Sequence, residues 1–430
     1  MKVRINVKWQ NIEGLLLALT PFFRNYRIPA ININLATFFF LGMIFVDFFN
    51  YICLRRKEAS DFSKSVVLPV FICMTVYLLL EYYLIDVKKI GNYTTAGNFS
   101  ALILYLFEIW GLLFVFSNGL LRKMFKKHII RITLVMCFVI FIQYVLYYLF
   151  GIALTRSFFV PFSSWHEPSV TESLSNSSMV MNGLFRPSAF FLEPSHFAAY
   201  SVLALGILIF NDEEKIDRKA VFITVSILLT TSGLGMAASL LLWGVKGFRM
   251  LGSKSRRRML NTMVFFFVAL IALVILYFTV DVIQSAVNRV LINDDQNAIT
   301  GRLWTARFLD QLSGVDKCWG VGFRNRPISD YSGSAYYMTG SVEMLYCQGI
   351  IGTVILAITM MVAAYRMWKE KEILNFSIIV IFIVWFIMGN IITPYYLVKY
   401  LPFTYPEDES TVAEKRKQIR GQYGFQKNTG

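Results

Sequence analysis

Long apolar runs alternate with short clusters of basic residues along this chain, and this alternation limits the possible folds more than any other feature. A helix needs about 20 predominantly apolar residues to cross the hydrocarbon core of a bilayer. With 56% hydrophobic and only 16% charged residues among 430, the chain is too apolar for a soluble globular protein. Its runs also lack the apolar and polar alternation of membrane-barrel strands. The sequence therefore predicts an all-α fold, a polytopic bundle of transmembrane helices.

The apolar runs predict about 11–12 membrane segments within residues 1–405, which form a single transmembrane domain followed by a cytoplasmic tail, 406–430. One uncharged stretch, about 220–245, is interrupted by Thr230–Gly235 and has basic residues on both flanks. Because basic flanks belong in the cytoplasm, we expect two short helices there that return to the same side. The stretch 393–403 suits a short returning helix. The other segments are expected at about 12–23, 33–54, 66–86, 99–121, 129–152, 190–210, 260–280, 342–364 and 375–392.

Positively charged residues set the predicted orientation. Most of the 42 lysines and arginines fall in segments that this arrangement places in the cytoplasm, as the positive-inside rule requires. The net charge of +15 is thereby explained without nucleic acid as a partner. Two long loops, 153–187 and 281–340, are then external, and we expect them to form an active-site face. The outer segments hold nine arginines and only three lysines, and this face suits an anionic ligand because arginine binds phosphate bidentately.

The stretch that begins at Arg186, RPSAFFLEPSHFAAY, places a cation, a carboxylate and an imidazole in the first turns of a membrane-length apolar segment. Such groups are costly in lipid, so we expect them to face a water-filled or protein-lined cavity. Glu193 and His196 are three residues apart and hence neighbours on one helical face. Pro187 and Pro194 suit a first helical turn or a kink. The alternative is an interfacial arginine, a capping glutamate and an interfacial histidine.

The second long loop interleaves aromatic residues with arginines in the strings TGRLWTAR and WGVGFRNR. This pairing suits a sugar phosphate, because tryptophan faces stack on sugar rings while guanidinium groups bind the negative charge. The candidate sugar-stacking residues are Trp304 and Trp319. The candidate anion-binding residues are Arg302, Arg307, Arg324 and Arg326. The alternative is an amphipathic helix that lies on anionic lipid headgroups.

Several of these strings resemble, in the same order, segments of the bacterial O-antigen and capsular polysaccharide polymerases, in the O-antigen polymerase and ligase superfamily. RPSAFFLEPSHFAAY resembles the arginine-to-EPS segment of that family, and TTSGLG resembles its broken helix. The strings GR-x-W and GVGF resemble its second periplasmic loop, and CQGIIGTVIL resembles the span that follows. The resemblance covers roughly residues 180–365, whereas residues 1–150 match only in being hydrophobic.

The resemblance implies a multi-pass glycosyltransferase of the bacterial plasma (inner) membrane, with its active site on the periplasmic or external face. Its substrates would be undecaprenyl-diphosphate-linked oligosaccharide repeat units, polymerised into O-antigen, capsule or exopolysaccharide. Arg186 and the four arginines of the second loop would stabilise the departing diphosphate. Glu193 would be the general base, with His196 or Glu343 as alternatives. No metal or other cofactor is implied, and the expected partners are membrane lipid, a chain-length regulator and a flippase.

One departure from the family concerns histidine. Related ligases and some polymerases carry a His-Asn pair just before the span that CQGIIGTVIL resembles. The corresponding stretch here, Tyr336–Gly340, has none, since the three histidines are His128, His166 and His196. This argues against the first alternative, an O-antigen ligase. The second alternative is a flippase or transporter of lipid-linked oligosaccharide, but transporters commonly contain internal repeats and short loops, and this sequence has no repeat and two long loops.

Overall fold

A computed structural model describes residues 2–28, 33–53, 61–87, 99–154, 180–181, 184–211, 216–251, 304–323, 325–326, 338–388 and 394–406, with the single residues 271, 278 and 284. Over these ranges the chain is helical apart from short links and two hairpins of two-residue strands. Five of the described helices are long and apolar enough to cross a membrane, and two more are apolar but shorter. The predicted all-α membrane bundle is confirmed. The segment expected at about 260–280 and the tail from residue 407 lie outside the described residues.

The described residues of the first part of the chain, up to residue 154, form five α-helices. An antiparallel hairpin joins the first two, with Arg27 opposite Asn34. The third helix continues into one π-helical turn at Tyr83–Val87. The elements are α1 (Lys2–Phe23), β1 (Arg27–Ile28), β2 (Ile33–Asn34), α2 (Leu35–Cys53), a 3-10 turn (Asp61–Lys64), α3 (Leu68–Tyr82), α4 (Phe99–Phe116) and α5 (Gly119–Phe150).

The described remainder begins with a second antiparallel hairpin. Helices then follow to the end of the described chain. The elements are β3 (Val180–Met181), β4 (Leu184–Phe185), α6 (Pro194–Asn211), α7 (Arg218–Leu229), α8 (Gly233–Leu251), a 3-10 helix (Trp304–Gln311), α9 (Gly314–Trp319), α10 (Gly340–Lys369), α11 (Ile373–Met388), α12 (Pro394–Tyr400) and a 3-10 turn (Leu401–Phe403).

The most enclosed of the five long apolar helices is α6, of which 67% is buried. It packs against α5, α7, α8 and α11. Tyr200 of α6 donates a hydrogen bond to the carbonyl oxygen of Ala18 in α1 at 2.9 Å. A glycine brings α11 close, since a Cβ at Gly206 would lie 3.0 Å from Cδ1 of Ile378. The stretch that begins at Arg186 therefore leads into the centre of the bundle.

The outer surface of the bundle is apolar. On α5, Phe138 is 63% exposed and Leu149 is 72% exposed, whereas Met136 and Ile140 are fully buried. Soluble monomers rarely expose large contiguous apolar surfaces. Lipid tails are as apolar as leucine, so this exposed apolar surface is compatible with a position inside a membrane.

One end of the bundle, which we call the basic end, comprises the first turns of α3, α5 and α11 and the last turn of α4. Thr404 and Tyr405 join these turns. Val66 N donates to Thr404 O at 2.9 Å, and Tyr405 Oη donates to Leu113 O at 2.6 Å. Asn375 Nδ2 donates to Tyr405 O at 3.0 Å. The short helix predicted at 393–403 is therefore present as α12 and its 3-10 turn, and it closes the basic end.

The sequence placed the basic cluster that begins at Arg122 in a loop, before a span starting at about 129, and this boundary is wrong. α5 begins at Gly119, with Asn118 as its N-cap. Arg122 lies in the first turn and donates to the carbonyl oxygens of Phe116 at 2.8 Å and Ser117 at 3.0 Å. A cation is favourable there, because the last carbonyls of α4 have no partners within their own helix.

The opposite end of the bundle, which we call the loop end, holds the strings that resemble the polymerases. The far end of α5 reaches it, where Ala189 N donates to Gln143 Oε1 at 2.9 Å. The far end of α11 reaches it as well, where Ser341 Oγ donates to Ile387 O at 2.7 Å. The Arg186 stretch and the start of α10 thus lie at the same end of the bundle.

The uncharged stretch at about 220–245 forms two helices, α7 and α8, as predicted. Between them Thr231 adopts a left-handed conformation, with φ of 51°. Trp243 Nε1 donates to Thr224 Oγ1 at 2.9 Å, so α8 runs back along α7 as a helical hairpin.

The hairpin predicts that the residues flanking it lie on the same side of the membrane. The variants Arg218→Cys and Arg249→Cys are made in a chain whose native cysteines are replaced, and each is treated with a membrane-impermeant maleimide. Both should react in sealed vesicles, or both should react only after the vesicles are permeabilised. Ala153→Cys, beyond the far end of α5, should react under the opposite condition. Labelling of Arg218→Cys and Arg249→Cys from opposite sides would show that the stretch crosses the membrane once.

Candidate functional site

The motif segment, Leu184–Glu193, has no regular structure after β4 ends at Phe185. α6 begins at Pro194, so Arg186 and Glu193 precede the helix and, of the three predicted groups, His196 alone lies in its first turn. The prediction that all three groups lie in the first turns of the helix is therefore wrong for Arg186 and Glu193. The cause is Pro194, whose ring disfavours a helical conformation at the residue before it and which itself suits the first helical position.

Two side chains hold the motif segment in its irregular path. Gln143, fully buried in α5, accepts from Ala189 N at 2.9 Å and donates to Leu154 O at 3.1 Å. Ser188 Oγ donates to Phe191 O at 2.7 Å, and Phe191 N donates back to Ser188 O at 3.0 Å. These bonds surround Ala189, whose φ of 51° is a strained conformation that costs about 1–3 kcal/mol. Irregular backbone at membrane depth needs such internal partners.

Aromatic rings pack against both ends of the motif segment. Phe185 stacks on Tyr147 of α5, with ring centroids 4.5 Å apart and planes 15° apart. Phe191 lies 4.6 Å from the ring of Phe22 in α1 and 5.6 Å from that of Tyr200 in α6. The segment is thereby held between α1, α5 and α6.

Arg186 connects the motif segment to the turn between α7 and α8. Its half-buried guanidinium donates from Nε to Thr231 Oγ1 at 3.1 Å. Thr230, Thr231 and Ser232 are all buried, so this turn lies inside the protein. The strings RPSAFFLEPSHFAAY and TTSGLG therefore meet in space.

The same turn also lies directly against α6. A Cβ at Gly235 would lie 2.5 Å from Cβ of Ala198, which is in the second turn of α6. α7 has 12 residues, which gives a length of about 18 Å, against about 30 Å for the hydrocarbon core. The hairpin therefore ends within the bundle, beside the motif segment.

Glu193 lies immediately before α6. Its carbonyl oxygen accepts from His196 N at 3.1 Å and Phe197 N at 3.3 Å, and its exposed carboxylate accepts from Ser195 Oγ at 3.1 Å. His196 is half-buried. The start of a helix favours negative charge through its unpaired N–H groups and dipole. A carboxylate, a half-buried imidazole and a guanidinium are thus held within the eleven residues from Arg186 to His196.

The described part of the second loop consists of a 3-10 helix followed by α9. Arg307 is exposed, with its guanidinium carbon 5.2 Å from the ring centroid of Phe308. Trp304 begins the 3-10 helix. Arg302, Arg324 and the side chain of Trp304 lie outside what the structure describes. A cavity shared by Arg186 and Arg302 stays a prediction.

The strings GVGF and CQGIIG pack together through their backbones at a glycine junction, formed by Gly320, Gly322 and Gly349. Val321 N donates to Tyr346 O at 3.1 Å. Gly322 N donates to Cys347 O at 3.0 Å. The loop residues Val321 and Gly322 thus donate hydrogen bonds to carbonyl oxygens of α10, close to the point where this helix is interrupted.

The interruption in α10 is at Gly349, with φ of 62° and ψ of −171°. A Cβ on Gly349 would lie 2.3 Å from Cys318 O, and a Cβ on Gly320 would lie 2.1 Å from Cys347 O. Gly320 also has a positive φ of 84°. Both positions therefore need glycine, for space as well as for conformation.

Tyr77 of α3 completes the glycine junction. Its hydroxyl donates to Trp319 O at 3.0 Å and to Gln348 O. Its ring stacks on Trp319, with centroids 6.1 Å apart and planes 5° apart. One face of the candidate sugar-stacking Trp319 is therefore covered by Tyr77.

A buried ion pair follows the glycine junction. Arg326 Nη2 lies 2.6 Å from Glu343 Oε1, and its Nε donates to the same oxygen at 2.8 Å. Glu343 is only 4% exposed, in the first turn of α10. The candidate phosphate-binding Arg326 and the alternative base Glu343 are thus partners of each other.

Sequence reasoning missed two positions that build the site, Gln143 and Tyr77, and singled out Thr231 only as part of the TTSGLG string. Gln143 and Tyr77 each hold irregular backbone at the loop end, and Thr231 holds Arg186. The sequence did contain a signal for such positions, namely a polar side chain inside an apolar run. Gln143 within α5 is the clearest example.

In comparisons with known proteins, no family model and no curated protein matches this chain. Within the described ranges, no group of three or more His, Cys, Asp or Glu side chains is arranged to hold a metal ion. The resemblance to the polymerases therefore depends on the quoted strings alone.

The glycine junction predicts that Gly320→Ala destabilises the protein, because the added methyl group meets Cys347 O and the positive φ is strained. The strain alone should cost on the order of 1–3 kcal/mol, measured as a lower midpoint of thermal unfolding in detergent. Gly314→Ala is the matched control, since a Cβ there meets nothing within 4 Å. Equal unfolding midpoints for the two variants would contradict the close backbone contact.

Proposed function

We propose that this protein is a membrane glycosyltransferase that polymerises undecaprenyl-diphosphate-linked oligosaccharide repeat units into O-antigen, capsular polysaccharide or exopolysaccharide. The proposal places it in the bacterial plasma membrane, with the loop end on the periplasmic or external face. One observation carries it. The strings that resemble the polymerases are far apart in sequence, yet they meet in pairs at the loop end, Arg186 with Thr231 and Gly322 with Cys347.

The first chemical requirement is to bind and stabilise a diphosphate leaving group. Arg186 supplies a guanidinium that is positioned by the hydrogen bond from its Nε to Thr231 Oγ1, and guanidinium groups bind phosphate oxygens strongly. Arg302, Arg307, Arg324 and Arg326 of the second loop are the further proposed diphosphate-binding residues. Trp304 and Trp319 are proposed to stack on sugar rings.

The second requirement is a base for the acceptor hydroxyl. In the proposed step the acceptor proton moves to the Glu193 carboxylate, and the acceptor oxygen forms a bond to the anomeric carbon of the growing chain. The bond from that carbon to the diphosphate oxygen breaks, and its electron pair leaves with undecaprenyl diphosphate. The exposure of Glu193 supports this role over Glu343, which is buried and paired with Arg326. His196 is the second choice for the base.

The proposed base predicts the outcome of Glu193→Gln. This variant keeps the shape of the side chain but has no basic oxygen, so chain elongation should fall by about 10²–10⁴-fold. Polymer length, resolved on gels of extracted polysaccharide, is the measurement, with membrane-inserted protein quantified in parallel. Glu370→Gln, an exposed glutamate at the basic end, is the matched control. Polymer of normal length from Glu193→Gln would remove Glu193 from the mechanism.

The proposed diphosphate contact predicts the outcome of Arg186→Lys. The substitution retains the positive charge but removes the planar fork, so the elongation rate should fall by about 100-fold. The rate is measured with purified protein and lipid-linked repeat units. Arg366→Lys, at an exposed position of the basic end, should retain the wild-type rate. A wild-type rate in Arg186→Lys would show that the guanidinium has no specific role.

A further inference from the structure

The first helix, α1, turns polar side chains towards the inside of the bundle. Gln10, Glu13 and Thr20 are each at most 2% exposed, whereas Ile12 is 49% exposed. Gln10 and Glu13 are three residues apart and therefore share one helical face. The helix packs chiefly against α2, α5 and α12. Ionisable groups enclosed in a membrane domain are candidates for a function, since enclosing them is costly.

Glu13 lies in the half of the bundle nearer the basic end. A Cβ on the next residue, Gly14, would lie 3.0 Å from both Met124 Cβ and Phe125 N of α5. Phe125 is six residues from the start of α5 at the basic end, a rise of about 9 Å. That is about a third of the hydrocarbon thickness of about 30 Å. Glu13 is therefore enclosed by protein but lies closer to the basic end than to the loop end.

Two enclosed oxygen atoms on this face of α1 form no hydrogen bond within the described part of the chain. They are Gln10 Oε1 and Glu13 Oε1. An amide oxygen and an ionised carboxylate oxygen can only accept, so neither atom can bind the other in that state. A buried acceptor without a donor destabilises the fold. The two oxygens therefore need a donor that the described side chains do not supply.

An ionised Glu13 would also enclose a negative charge. Within the described residues, no lysine or arginine forms an ion pair with Glu13. Trp9 Nε1, one turn away, is an enclosed donor that likewise forms no hydrogen bond there. An indole N–H can supply one hydrogen bond, but it is neutral and does not balance the charge of a carboxylate. A buried carboxyl without a counter-ion becomes neutral by taking up a proton.

The helices α2, α5 and α12 carry a single acidic residue, Asp47 of α2, which is placed towards Glu13. α12 carries Lys399 and tyrosines. His128 of α5 faces Asn11, which lies on a different side of α1 from Glu13. A neutral Glu13 avoids two negative charges side by side with Asp47. The other titratable groups in the first turns of α5 are basic, namely Arg122, Lys123, Lys126, Lys127 and Arg131.

We propose that Glu13 is a proton-binding site and that it shares its proton with Gln10. With the proton on Glu13 Oε1, the carboxyl is a neutral donor, and Gln10 Oε1 on the same face accepts the hydrogen bond. One proton thus supplies both oxygen atoms with a partner and removes the enclosed charge. The competing occupants are a sodium ion between the two oxygens and a water molecule beside an ionised Glu13. This inference is independent of the proposed function.

Infrared spectroscopy of purified full-length protein in lipid nanodiscs at neutral pH tests the proposal. The difference spectrum between wild type and Glu13→Gln should show the loss of a C=O band of a protonated carboxyl group. Glu370→Gln, at an exposed position of the basic end, is the matched control and should leave that band unchanged. Loss of a carboxylate band instead would show that Glu13 is ionised and would overturn the proposal. Disappearance of the protonated band when potassium is replaced by sodium would identify a sodium site and overturn it as well.

A second variant keeps the carboxyl group and removes its partner. Gln10→Leu has no acceptor oxygen, so the C=O band of Glu13 should shift to higher wavenumber, as expected for a carboxyl that has lost a hydrogen bond. Asn11→Leu, on a different side of the same turn, is the matched control and should leave the band in place. An unshifted band in Gln10→Leu, or the same shift in both variants, would overturn the sharing of the proton with Gln10.

Discussion

Every backbone N–H and C=O group inside a membrane must find a partner within the protein, and this constraint governs the arrangement of the loop end. The described chain departs from helix inside the bundle at the motif segment, at the α7–α8 turn and at Gly349 of α10. Each departure has partners from elsewhere in the chain. Gln143 binds the backbone of the motif segment, and Tyr77 and the GVGF string bind the carbonyls near Gly349. The hydrogen bonds made to backbone groups at these breaks therefore hold the elements of the loop end together.

The breaks also make the two ends of the bundle different. At the loop end, interrupted helices leave room for polar groups such as Arg186, Glu193 and the Arg326–Glu343 pair. At the basic end, Thr404 and Tyr405 close the bundle. Arg122 donates hydrogen bonds to the last carbonyl oxygens of α4.

Much of the fold was readable from the sequence, because hydrophobic run length and loop charge are strong signals in membrane proteins. They predicted the long apolar helices that the structure describes and the hairpin at 220–245. They misplaced the start of α5, because Arg122 was treated as a loop residue. In the structure Arg122 belongs to α5 and donates to a carbonyl oxygen at the end of α4. They also misplaced the start of α6, since Pro194 excludes Glu193 from the helix. The contact of Arg186 with Thr231 and that of GVGF with α10 join residues distant in sequence, and no local pattern specifies such pairs.

In the proposed reaction, the loop end joins lipid-linked sugars by direct displacement of a lipid diphosphate. The most direct measurement reconstitutes the purified protein in lipid vesicles with lipid-linked repeat units and no energy source, and quantifies elongated chains and free undecaprenyl diphosphate together. We expect one undecaprenyl diphosphate to be released for each repeat unit added. Movement of the lipid-linked units across the bilayer without elongation would contradict it and identify a flippase instead.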